Sequence, residues 1–300
     1  MTILKLGTRG SPLALIQANM VKDALFAAHG IASEIHVIRT TGDRVQDRAL
    51  AEIGGKALWT KELDRALLDG EIDLAVHSMK DVETIRPEAI VIAAMLERAD
   101  VRDRLVGADS LAAIREGGVV GTSSPRRRAQ VLRARPDVSG VLFRGNVDTR
   151  LAKLATGEAD ATLLAAAGLD RLGRDDVGVA LAIEEMLPAP AQGAVGIECR
   201  ADDAMTAALL AAIDHQATSR AVRCERAFLA TLEATCHSPI AALATIAGDD
   251  VTLRAELLSE DGGDHVAGDA SGPGGEALAR DLASALLERA TPAIRAGFGA

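Results

Sequence analysis

Along the first 200 residues, short β-branched and aliphatic runs alternate with longer segments whose apolar residues recur at three- and four-residue spacing. The runs at 3–6, 35–38, 72–76, 90–94, 119–121, 141–143, 162–164 and 195–198 read as strands. The spaced patterns at 13–28, 60–68, 126–134, 147–155 and 203–213 read as helices. Gly30, Gly70 and Gly157 stand just past three of these, where a helix end favours a left-handed residue. Strand and helix in alternation predict an α/β architecture. Two segments look like crossings between domains: 97–104, charged and without an apolar face, and 187–193, punctuated by Pro and Gly. The last third changes character. A helix over 218–232 precedes an antiparallel meander at 240–246, 251–259 and 265–270, with a turn at Gly262-Gly263, and a helix over 276–290 closes an α+β module.

Composition narrows the classes. The chain has 300 residues, 48% of them hydrophobic, but only 2% are aromatic and none is Tyr, so Leu, Val, Ile and Ala must fill two or three cores. Asp and Glu number 43 against 33 Lys and Arg, a net charge of -10, which argues against a nucleic-acid partner. No apolar run approaches the ~18 residues of a membrane helix, and the N-terminal run is too short for a signal peptide. Cys199, Cys224 and Cys236 form an odd, widely spaced trio, which suits reduced thiols and a cytoplasmic protein. Phosphate-loop, dinucleotide, C-x-x-C and H-E-x-x-H patterns are absent from the sequence, so nucleotide and metal chemistry have no support there.

Against the acidic background, cations gather among Gly, Ser and Thr. Gly121 to Arg135 holds five arginines and no acid, and Thr8-Arg9-Gly10-Ser11, His77-Ser78-Met79-Lys80-Asp81 and Arg144 to Arg150 repeat the theme. Such clusters suit a small polyanion. Ser124 is a natural helix N-cap and Pro125 fits the first helical position. Arginines in that first turn oppose the helix dipole, a placement that an anion held by Thr122, Ser123, Arg126 and Arg127 would offset. Arg128, Arg133 and Arg135 read as a solvated basic face or as interdomain salt bridges. Ser78, Lys80 and Asp81 follow an apolar strand, where α/β sheets bind ligands. Asp81 either pairs with Lys80 or stabilises positive charge on a substrate. Cys199 and Cys224, on a strand and a helix, read as small buried hydrophobes. Cys236 lies among turn residues beside His237, and local chemistry leaves open both burial and catalysis.

Taken together, these blocks resemble the porphobilinogen deaminase (hydroxymethylbilane synthase) family, in register from Leu6-Gly7-Thr8-Arg9-Gly10-Ser11 through Gly54-Gly55-Lys56, the His77 to Val82 block, Gly121 to Ser124, Arg144-Gly145-Asn146-Val147, Ala167-Gly168-Leu169 with Arg171, and Gln192-Gly193-Ala194 to the Cys236 loop. The resemblance implies two periplasmic-binding-protein-like α/β domains around a cleft (1–96 with 194–214, and 97–193) plus a smaller α+β domain at 215–300. It implies head-to-tail condensation of four porphobilinogen molecules into hydroxymethylbilane with loss of ammonia, on a dipyrromethane cofactor joined by a thioether to Cys236. It further implies catalytic roles for Asp81, Lys80 and Arg9, with Asp81 stabilising charge on a pyrrole nitrogen. Ser78, Lys80, Asp81, Thr122, Ser123, Ser124, Arg126, Arg127, Arg144 and Gly145 would bind the cofactor; Arg9, Ser11, Lys56, Arg144, Arg150 and Arg171 would bind substrate. A monomer without nucleic-acid or membrane partners is expected. Ala234-Thr235 stands where the family usually has Gly-Gly, and Ala191 where Gly is common. A non-catalytic two-lobed binder of a small polycarboxylate is the alternative.

Overall fold

The computed structural model describes residues 3–39, 60–235 and 237–298. They fall into two compact units, Met1–Ala99 with Gly193–Ser219, and Asp100–Gln192 with Arg220–Ala300. The mixed α/β architecture with a smaller C-terminal sheet is the one expected from the sequence.

In the first unit, β1 (Leu4–Thr8), α1 (Pro12–His29), β2 (Ser33–Val37), α2 (Lys61–Leu68), β3 (Leu74–Ser78) and β4 (Ile90–Met95) are completed by β10 (Val195–Arg200) and α6 (Ala204–Ala211). Their sheet runs β2-β1-β3-β10-β4. β1 is parallel to β2 and β3, whereas β10 is antiparallel to β3 and β4. Leu6, Val21, Leu25, Leu74, Ile197 and Leu210 fill one side of the sheet, and Leu63, Leu67 and Ile72 the other.

The second unit repeats that plan. β5 (Asp103–Val106), β6 (Val119–Gly121), α3 (Pro125–Ala134), β7 (Ser139–Val141), α4 (Val147–Ala155), β8 (Ala161–Ala165), α5 (Ala166–Arg171) and β9 (Val179–Ala180) give a sheet ordered β7-β6-β8-β5-β9. β6 is parallel to β7 and β8; β5 is antiparallel to β8 and β9. In both sheets the reversed fourth strand is the one that enters its unit just after the chain has crossed over. The charged stretch 97–104 therefore runs into a strand rather than serving wholly as a crossing. Asp103 can start β5 because its carboxylate, fully buried, meets two arginines.

Beyond α7 (Gln216–Thr231), β11 (Ile240–Ala247), β12 (Asp250–Leu258) and β13 (His265–Gly272) form the expected antiparallel meander, followed by α8 (Gly275–Arg289) and α9 (Pro292–Arg295). Phe228, Leu253, Leu257, Ala283 and Leu286 lie in its core. Among the described residues no helix is long and apolar enough to cross a membrane.

Candidate active site

The sequence around β1 and β3 builds one pocket. Both strands are apolar, parallel and end at the same edge of the sheet, so the polar residues after each meet there. Ser11 caps α1, accepting from the Ala14 N–H at 3.3 Å, and Pro12 occupies the first turn, which contains no acid. After β3 a 3₁₀ turn, Met79–Asp81, lifts Lys80 and Asp81 into exposed positions. Arg9, Ser11, Ser78 and Asp81 line the resulting pocket with Gln17 and His77. Gln17, buried on α1, exchanges hydrogen bonds with the Ser78 hydroxyl at 2.8 and 3.0 Å, which orients that hydroxyl. The Asp81 carboxylate stands exposed in a pocket that also holds a guanidinium.

An equivalent station follows β6 in the second unit. Ser124 caps α3 with Pro125 in its first turn and, again, no acid there. The Ser124 N–H donates to Thr122 Oγ1 at 3.1 Å, closing a small turn, and Arg150 Nη2 donates to Ser123 Oγ at 3.2 Å. Arg150 Nε donates to the Gly145 carbonyl at 3.0 Å, so Ser123, Gly145 and Arg150 come together. Gly145 has φ +112°, and a Cβ there would sit 2.6 Å from the Thr149 methyl. Arg144 Nη1 is buried without a hydrogen-bond partner. A buried, orphaned guanidinium N–H suits a carboxylate ligand.

Arg126 and Arg127 have a further task. Both are buried, and their Nη atoms lie 2.8 and 2.7 Å from the two oxygens of Asp103. Burial pushes the Asp103 carboxyl up, but the two guanidinium charges hold it well below the carboxylate range. Arg126 also reaches the Leu187 carbonyl, and Arg127 that of Leu163. Arg171 ends α5, where burial lowers its pKa. Arg135 binds Asp137 and the Leu111 and Ile114 carbonyls, so it braces a loop besides facing solvent. Burial pushes the Cys199 and Cys224 thiols up to about 11 and about 12, which leaves them protonated and inert. Lys56 and Cys236 lie outside the described residues.

Sequence reasoning missed Gln17, Asp103, Glu198 and Arg86. Two left a trace: Gln17 is the polar member of the buried stripe Gln17, Ala18, Val21 and Leu25, and Glu198 is an acid inside an apolar central strand.

The comparisons place these features in a class of transferases. The chain belongs to the porphobilinogen deaminase family: the model of the porphobilinogen deaminase dipyrromethane-cofactor-binding domain matches residues 4–208, and that of its C-terminal domain residues 219–290. Porphobilinogen deaminase of Sphingopyxis alaskensis is 59% identical over 98% of this chain and 96% of its own, and that of Paracoccus denitrificans 54% identical over 96% and 94%. Among solved structures, the methionine binding protein MetQ matches 69% of this chain and 88% of its own at 12% identity and TM-score 0.45, a likeness too slight to carry an inference.

Proposed function

We propose that this chain joins four porphobilinogen molecules head-to-tail into hydroxymethylbilane, releasing ammonia at each step, with Cys236 holding the dipyrromethane through a thioether. When bound, the dipyrromethane supplies the pyrrole carbon to which the first substrate ring is joined. Binding, orientation and charge stabilisation fall to the chain's own residues. The carrying observation is the pocket that places the exposed Asp81 carboxylate among Arg9, Ser11 and Ser78. Every porphobilinogen ring bears an acetate and a propionate. Arg9, Ser11, Lys56 and Lys80 are suited to those acids from the first unit, and Thr122, Ser123, Ser124, Arg144, Arg150 and Arg171 from the second. Arg126 and Arg127 add positive potential beside the same turn while holding Asp103.

Asp81 weakens carboxylate binding simply by being there, so it needs another reason. Accepting a pyrrole N–H and balancing the positive charge that grows on the ring nitrogen provides one. A carboxylate at ~4 Å from a unit charge gains about 4 kcal/mol at an effective dielectric of ~20, before desolvation. In this reading the chain has three domains, 1–96 with 194–214, 97–193 and 215–300, and works as a cytoplasmic monomer.

Asp81→Asn keeps the shape and removes the charge. We expect kcat to fall about 100- to 1,000-fold, while intact mass still includes two linked rings; near-normal turnover would remove Asp81 from the reaction. Cys236→Ser should have the bare chain mass. Wild-type protein that stays unmodified after exposure to porphobilinogen would overturn the whole reading in favour of a polycarboxylate binder.

A further inference from the structure

Glu198 is a fully buried carboxylate in the middle of β10, and the reaction proposed above gives it no task. Arg86 grips both of its oxygens: Nε donates to Oε1 at 2.7 Å and Nη2 to Oε2 at 2.9 Å. Oε2 also lies 3.1 Å from His77 Nε2. Burial pushes the Glu198 pKa up, but His77 and Arg86 bring it down to about 2, so the carboxylate is ionised in neutral solution. His77 and Arg86 bracket the segment that carries Ser78, Lys80 and Asp81. The same strand and the residue before it hold that segment twice more. The Met79 N–H donates to the Ala194 carbonyl at 3.0 Å, and the Met79 side chain covers Gly196, where a Cβ would come within 2.0 Å of Sδ. From the far side, Arg86 is held by Asp64 at 2.5 Å and Glu83 at 3.0 Å. An apolar residue of similar volume would seal this strand about as well as a buried ion pair does. What the ion pair adds is a fixed direction for Arg86, gripped at both carboxylate oxygens, with His77 held in contact beside it.

We propose that Glu198 is a positioning residue for the reaction: one buried carboxylate that clamps both ends of the 77–86 segment and so fixes Asp81 and Ser78 in the pocket with Arg9. The inference rests on the catalytic role given to Asp81. Of the cations given to the substrate acids, Lys80 lies within the clamped segment, whereas Arg9 and those beyond β6 lie outside it. Loosening it should therefore affect the chemical step more than binding.

The test uses the full-length holoenzyme with Glu198→Gln and, separately, Arg86→Gln. In each, kcat should fall about 10- to 100-fold while KM for porphobilinogen stays within about two-fold and the intact mass is unchanged. Leu210→Ala, which opens a cavity in the same unit, serves as a control that loses melting temperature yet keeps kcat. Asp81→Asn combined with Glu198→Gln should lose far less than the product of the two single losses, because the clamp acts chiefly through Asp81. Normal kcat in both clamp variants, or independent losses that multiply in the double variant, would overturn the clamp. Should Glu198→Gln fail to fold, Arg86→Gln decides alone. Slow Asp81→Asn with fast clamp variants sinks only this inference, whereas fast Asp81→Asn sinks the catalytic reading with it.

Discussion

Asp103 and Glu198 are fully buried acids, and each occupies the reversed fourth strand of its sheet. Asp103 neutralises two buried arginines at 2.8 and 2.7 Å, so Asp103→Asn strands both charges in a dry interior. That should cost about 3–5 kcal/mol, read as a lower urea midpoint. The sign is different to test at Glu198, whose pKa drops from 4.5 unfolded to about 2 in the fold. A depressed carboxylate stabilises the fold fully above its unfolded value and loses that contribution as pH falls through the folded one. Roughly 3 kcal/mol is at stake. The stability advantage of wild type over Glu198→Gln, measured by urea at several pH values, should therefore shrink steadily below about pH 4.5. Much of the site was legible because short polar motifs after apolar strands announce themselves: Arg9, Ser11, Ser78 and Asp81 share a pocket as residues of just that kind. The partners were not legible. Nothing in the spacing couples Asp103 to Arg126 and Arg127, and a lone acid in a strand does not say which base, His77 or Arg86, will meet it.

Elements with strong periodicity and chemical stops were read almost to the residue. α1 ends at Gly30 with φ +66°, and α4 is followed by Gly157 at φ +77°. What escaped was short: β9 has two residues, α9 four and α5 six, too few for any period to be seen. β5 escaped because its first residue is a charge that the surroundings neutralise. The Gly262-Gly263 pair in the β12–β13 connection is a finer case, since the two glycines proved unequal. Gly262 has φ +71° and packs on α3, where a Cβ would lie 2.3 Å from the Ala129 carbonyl oxygen. Gly263 needs no left-handed backbone, and its Cβ would meet only the Asp261 side chain at 3.3 Å. Gly262→Ala should thus destabilise by about 1–3 kcal/mol, and Gly263→Ala by less than about 0.5 kcal/mol. Calorimetry on the pair checks this; equal losses would mean the loop does not dock on α3 as described.

The two units share a strand order, yet each buries its own apolar residues. Leu6, Leu74, Ile197 and Leu210 belong to the first, and Leu105, Val120, Val131 and Leu163 to the second. The chain passes from one unit to the other at 99–100, 192–193 and 219–220, and the second crossing is tied into the second unit by its own bonds. Leu187 O accepts from Arg126 and Gln130, the Pro188 carbonyl accepts from Ala242 N–H, and the Ala191 N–H donates to the buried Glu225. Ala191 sits at φ +60°, a strained conformation for a residue with a Cβ, and the Glu225 carboxylate helps hold it there. Gly193, one step beyond Gln192, begins the return to the first unit. Cores that are separately filled should open separately. Leu210→Ala, which removes a fully buried side chain from the first core, is therefore expected to speed amide exchange in β1, β3 and β10 while leaving protection in β5, β6 and β8 unchanged. Leu163→Ala should do the reverse. Hydrogen exchange followed by mass spectrometry distinguishes this from a single cooperative core, in which either substitution would raise exchange in every central strand by the same factor.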